Sequence, residues 1–179
     1  LKSTCIHLQS PSPLKTHEIY SVIDPSVVVQ MLDWFRENDR NVYRSALTSL
    51  AQSRKLRLVF LQKKPVAEQY AWILKTLKSR QSDTIGEHLI QAWLMAGNQE
   101  MLAKFCDELE IEHDGNGAVT GELPEEISAE GLDGAVDALI KDFDSKLVTL
   151  YLMVFNQQKA GGWASVTEKL ETDERLGLA

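Results

Sequence analysis

The sequence predicts an all-α protein, and three observations carry that reading. Apolar residues recur at spacings of three and four through most of the chain, Asp, Ser or Asn stands just ahead of most of these stretches, and the polar segments between them are short. Composition fits a globular chain: 179 residues, 44% hydrophobic and 25% charged, with 10 Gly and 5 Pro. Such a length buries roughly 70% of the surface an unfolded chain exposes, enough for one core without covalent staples. The expected organisation is an extended arm over 1–23, a single helical domain over 24–171 and a frayed tail over 172–179.

The arm is read as extended because SPSP at 10–13 interrupts it and the flanking CIHL and EIYSVI alternate as an edge strand would. From Asp24 the period changes. Asp24 supplies an N-cap and Pro25 a preset first helical residue, and Val27, Val28, Met31, Leu32 and Phe35 line one face of a helix over 24–37. Asp39 caps the next, whose inner face is Val42, Tyr43, Ala46, Leu47, Leu50 and Ala51, ending near Arg54. RKLRLVFLQKK continues it or forms a short buried segment. Pro65 then opens a helix carrying Val66, Tyr70, Ile73, Leu74 and Leu77.

Ser82 or Asp83 caps a helix with Ile85, Leu89, Ala92, Trp93 and Met95 inward, stopped by a left-handed Gly97. Asn98 caps the following one, with Met101, Leu102, Phe105, Cys106 and Leu109. So short a connection makes the two antiparallel neighbours. In IEHDGNGAVTG, Gly115 and Gly117 suit positive φ, and a β-hairpin is expected near 111–120, pairing Ile111–His113 with Ala118–Thr120. Ser128 and Asp144 then cap helices bearing Leu132, Val136, Leu139, Ile140 and Phe143, and Leu147, Val148, Tyr151, Leu152, Val154 and Phe155. Gly161 and Gly162 end the second, and Trp163 leads a short terminal helix through Val166 and Leu170.

The sum is an irregular stack or bundle of six to seven antiparallel helices of three to four turns. No self-similarity at a period of thirty to fifty residues accompanies it, which argues against tetratricopeptide or leucine-rich arrays. The succession of cap, amphipathic helix and tight turn resembles HEAT-type packing of helical hairpins, a likeness of architecture that rests on no diagnostic motif.

Two cysteines, Cys5 and Cys106, supply neither a disulfide framework nor a four-ligand zinc site, which suits a reducing, cytoplasmic setting. The longest apolar runs fall short of a membrane span, so no membrane partner is expected, and the first twenty residues lack the apolar stretch of a secretory signal. Charge divides sharply. Residues 1–80 carry thirteen Lys and Arg against six acids, whereas 81–179 carry six against twenty, within a total of −7. The expected use of this opposition is attraction between adjoining helices of one fold. The other use is binding of nucleic acid or an acidic partner by the basic segment 54–80: Arg54, Arg57, Lys63 and Lys64, extended by Lys75, Lys78 and Arg80. Against the nucleic-acid use, Phe60, Tyr70 and Trp72 lie in apolar runs typical of core.

Chemistry has few places to sit. Asp114, Asn116 and Glu125 fill the first, third and twelfth positions of a calcium-loop template, but Ala118 and Val119 occupy positions that need an oxygen ligand and a glycine. Glu87, His88, His113 and Asp114 are the residues from which a metal-assisted hydrolase site would have to be assembled. Adjacent Glu87 and His88 diverge by about 100° on a helix, so His88 is expected as a half-buried, hydrogen-bonded packing residue. Cys106, with no cation near it in its helix, is expected as an inert buried thiol. Cys5 and His7 point the same way in an extended arm, with nothing to fix them there. No nucleophile elbow, P-loop, dinucleotide fingerprint or CxxC is present. The sequence therefore assigns no catalytic, cofactor-binding or metal-ligating residue and no cofactor. The leading expectation is a non-enzymatic module whose partner is another protein or a second copy of itself.

Overall fold

The computed structural model describes residues 12–178. It is all-helical: α1 Thr16–Val22, α2 Pro25–Asn38, α3 Arg40–Ser53, α4 Leu58–Gln62, α5 Val66–Leu77, α6 Asp83–Gly97, α7 Gln99–Glu108, α8 Ala129–Asp142, α9 Ser145–Asn156 and α10 Ala164–Thr172. Two 3-10 turns, Arg80–Ser82 and Glu174–Leu176, complete it. Among the described residues ten helices thus stand where six to seven of three to four turns were expected: α10, of nine residues, is the short terminal helix read after Trp163, whereas α1 and α4, of seven and five residues, were not readable as independent helices.

Caps set most boundaries. The Asp24 carboxylate accepts from Ser26 N at 2.8 Å, Asp39 from Val42 N at 3.2 Å, Ser128 from Gly131 N at 3.1 Å and Asp144 from Lys146 N at 2.8 Å. Each satisfies a backbone donor the first turn would leave bare. Ser82 and Asn98 sit at N-cap positions without making that bond. Gly97 closes α6 without a positive φ; the Trp34 indole of α2 packs against it instead.

Around α9 the layers assemble. Every side chain from Leu147 to Asn156 is buried, the pattern of a helix apolar all round. α8, α10 and the terminal 3-10 turn pack on it, and Phe105 of α7 meets Tyr151 and Phe155 edge-on at 5.0 and 4.9 Å between centroids. Trp163 stacks on Phe155 at 4.6 Å and 12°. The other layer, α1 to α6, has α2 packed on α3, α5 and α6. The core residues expected from the sequence, Trp93, Phe105, Leu139, Tyr151 and Phe155, are all buried.

Three expectations are corrected. Within the expected arm, residues 16–22 form α1, which packs on α5 and α6; Ile19 and Tyr20 are buried, and the Tyr20 hydroxyl donates to Gly86 O at 2.9 Å. A Cβ at Gly86 would lie 2.7 Å from the Tyr20 ring, so this glycine lets α1 approach. The alternation of EIYSVI is equally compatible with one helical turn and a half, and packing against α6 selected the helix. Cys5 and His7 lie outside the described residues.

The second correction concerns the tail. Leu176 is buried, Thr149 Oγ1 donates to its carbonyl at 2.6 Å, and Arg175 pairs with Asp137 and Asp173, so 173–176 is docked on α8 and α9.

The third concerns the hairpin, which reduces to one antiparallel bridge, His113 with Val119. Gly115 and Gly117 do take positive φ, +92° and +86°. Two backbone bonds flank that bridge, Asp114 N to Ala118 O at 2.9 Å and Thr120 N to Glu112 O at 3.0 Å, and side chains hold the rest of the turn. Asp114 Oδ1 accepts from Asn116 N and Ala118 N, and His113 Nδ1 accepts from Gly115 N and Gly117 N. With these donors engaged locally, the backbone of Gly117 settles directly on α7.

Three outcomes follow from this packing. Phe155→Ala removes the ring shared by Phe105, Tyr151 and Trp163 and should cost about 3 to 5 kcal/mol in chemical unfolding. At Gly117 an added Cβ would meet Leu102 Cβ at 2.2 Å and Ala103 N at 2.6 Å, whereas at Gly115 it would meet nothing. Gly115→Ala should therefore lose only the left-handed penalty of about 1 to 2 kcal/mol, and Gly117→Ala roughly 1 to 3 kcal/mol more from overpacking; equal losses would contradict the contact with α7. Asp24 is held down to about 2 from 3.8, chiefly by its hydrogen bonds from Ser26 and also by Lys146, 3.0 Å away. A depressed carboxyl contributes stability above its unfolded value and loses it on acidification. The melting-temperature gap between wild type and Asp24→Asn should thus be full at neutral pH and close as pH falls from 3.8 to about 2.

Candidate functional site

The hydrolase candidates do not converge. Among the described residues no three His, Cys, Asp or Glu side chains come together as a metal ion would require. His88 is exposed rather than half-buried, and lines a shallow groove between α3 and α6 with Asn41, Ser45 and Thr84. His113 donates from Nε2 to Asp107 at 2.9 Å while its Nδ1 holds the turn, so both ring nitrogens are occupied structurally. Asp114 is likewise committed to the turn that would be the first half of a calcium loop. Cys106 is fully buried, and burial raises its thiol pKa.

Two polar clusters escaped the sequence reading. His17 of α1 donates from its backbone N and its Nδ1 to Asp83 of α6 at 2.7 and 2.9 Å. Between α2 and α5, the Tyr70 hydroxyl donates to Asp33 at 2.7 Å, with Arg36 over its ring. Burial first, then the Asp33 carboxylate, pushes the Tyr70 pKa up to about 12. The phenol stays protonated at neutral pH and fastens two helices. Partners 66 and 37 residues apart in sequence leave no local signal by which either cluster could have been found.

The basic segment holds the more informative geometry. α3 ends at Arg54, Lys55 turns the chain with a φ of +53°, and the single helical turn of α4 follows. Leu61 is fully buried and Leu56 and Leu58 pack half-buried on the core, which anchors α4 by one face. Its other face was expected to be buried and is not: Val59 is 47% and Phe60 55% exposed. Arg54, Lys55, Arg57, Lys63 and Lys64 surround them, all exposed, with no acid among residues 54–64.

These charges are not neutralised as expected. Among the described residues only Lys64 of this group enters an ion pair, with Glu68 of its own half. Lys75, Lys78 and Arg80 enter none either, and among the described residues no Lys or Arg up to position 80 pairs with an acid beyond it. The acids of the second half that form pairs take their partners from Lys104, His113, Lys169 and Arg175, and from His17. Long cationic side chains at the α3–α5 corner keep their hydration, since an exposed pair returns only about 0 to 1 kcal/mol.

Comparison with protein-family models, with curated proteins and with solved structures finds no match to this chain. Among the described residues no helix is long and apolar enough to cross a membrane.

Proposed function

We propose that this chain is a non-enzymatic binding module that engages another protein through the corner formed by the end of α3, α4 and the start of α5. The observation that supports this reading is the pair of exposed apolar side chains, Val59 and Phe60, flanked by Arg54, Lys55, Arg57 and Lys63, which enter no ion pair among the described residues. An aromatic anchor flanked by charge is the usual anatomy of an interface hot spot: the ring supplies burial, and the charges select and steer the partner. The rigid attachment of α4 through Leu61 presents both at little ordering cost.

The direct test is affinity capture from nuclease-treated native lysate with wild type and Phe60→Asp side by side, quantified by mass spectrometry. Phe60 is exposed, so the variant should melt within a degree or two of wild type while losing proteins that wild type retains, by about 30-fold for a true hot spot. Identical protein sets would end the proposal.

A second reading, nucleic-acid binding by 54–80, gains from the exposure of Phe60, which offers one stacking face amid unpaired cations. One platform is few for a single-strand binder, and the net charge of −7 opposes a polyanion at long range. Little retention on heparin or duplex DNA at low salt is expected. Tight retention abolished by Lys63→Glu with Lys64→Glu would put this reading first.

A further inference from the structure

The second half of the chain carries a feature shaped as the converse of the α4 corner. A cavity of about 400 Å³ opens between α6, α7, α9 and the 115–119 turn, floored by Met95, Leu102, Val119, Tyr151 and Val154. Met95 is 39% exposed, so apolar surface reaches the mouth. Glu87 is the one charged side chain that lines it, and Asp114, which accepts from the backbone N of the lining residue Ala118 at 3.1 Å, lies just behind the 115–119 turn. No Lys or Arg lines it. The segment that supplies the Gly117–Val119 wall is acidic: residues 105–140 contain eleven Asp and Glu and no Lys or Arg.

We infer that the α4 corner and this cavity bind each other between two copies of the chain, Phe60 of one copy seating among Met95, Val119 and Tyr151 of the next. The inference rests on the reading of the corner as a protein-binding surface and names its occupant. Each half supplies what the other lacks. The corner is an apolar projection flanked by cations of which only Lys64 is paired, and the cavity is an apolar floor rimmed by Glu87 and by Gln91, Gln157 and Gln158, with no cation lining it. No residue of 54–64 lines the cavity, so the projection can fill the recess only in another molecule. In this contact Glu87 and Asp114 serve as counter-charges for Arg57 and Lys63.

The two surfaces differ, so the contact is head-to-tail and a dimer keeps one free corner at one end and one free cavity at the other. One seated side chain with its rim buries less than the roughly 1,200 Å² of a stable interface. The association is therefore weak, dependent on concentration and weakened by salt.

Sedimentation velocity on the full chain tests this. At about 20 mM salt the average mass should rise steadily with concentration, and at about 0.5 M salt, where rim charges are screened, it should return to the monomer. Phe60→Ser keeps the cavity and loses the projection; Glu87→Lys keeps the projection and repels it from the cavity. Each alone should stay monomeric, and an equimolar mixture should form a species that stops at the dimer, because neither end can propagate. Glu87→Lys combined with Lys63→Glu should recover association, which shows that the single variant failed by charge and not by misfolding.

A wild-type chain that remains monomeric at every concentration in low salt overturns the inference. So does a mixture that stays monomeric while wild type associates, since that assigns the contact to other surfaces. If wild type is monomeric but Phe60 still governs capture of a foreign protein, the binding module stands and only its occupant was wrong.

Discussion

α9 has no face turned to water, and the rest of the molecule is arranged to make that tolerable. Ten consecutive residues from Leu147 to Asn156 are buried, so apolar surface must meet them on every side. α8 and α10 cover part of the helix, Phe105 reaches it from α7, and the docked terminal turn covers the Thr149 side. A helix of this kind gains its stability from packing and not from intrinsic propensity, because Val, Thr, Tyr and Phe are poor helix formers. It cannot persist unless its neighbours arrive, which makes the later helices and the tail parts of one cooperative unit.

Polar groups at the edges of that core are handled by single residues that serve two partners. Asn156, itself buried, accepts from Trp163 N at 2.7 Å and donates to Thr167 at 3.0 Å, bridging α9 to α10 across the glycine turn. Trp163 donates from its indole to Pro124 O at 2.8 Å, tying the irregular segment before α8 to the same point. These bonds pair the polar groups of Asn156, Trp163 and Thr167 with one another and hold the connection 157–163, which carries two positive-φ glycines.

Charge follows a different rule. In the second half, carboxylates share a few cations in small networks, as Asp133 and Asp173 share Lys169, and Asp137 and Asp173 share Arg175. In the first half Arg54, Lys55, Arg57 and Lys63, which flank Val59 and Phe60 in sequence, stay in solvent. The strong electrical division of the chain is therefore expressed on the outside of the molecule. Of the residues considered for chemistry, His113 and Asp114 are engaged in holding the 113–118 turn, whereas Glu87 and His88 stay exposed on α6.

By itself the sequence determined the helical class, the starts of α2, α3, α8 and α9, the large core residues and the positive φ of Gly115 and Gly117. Each of these is local. A cap acts within three residues, an amphipathic face repeats within four, and a glycine turn is set by its own backbone freedom. Only tertiary structure decided that EIYSVI would be a helix, since its alternation is resolved by the fit of Tyr20 against Gly86. Tertiary structure likewise replaced the hairpin by a turn lying on α7, docked the tail through Leu176, and turned Phe60 outward while Leu61 turned in. The fate of an apolar residue in a short segment depends on which face meets the core, and a single helical turn carries too few residues for periodicity to say which. The unpaired state of the basic corner was hidden for a related reason: whether two oppositely charged stretches neutralise one another depends on distances that no count of charges contains.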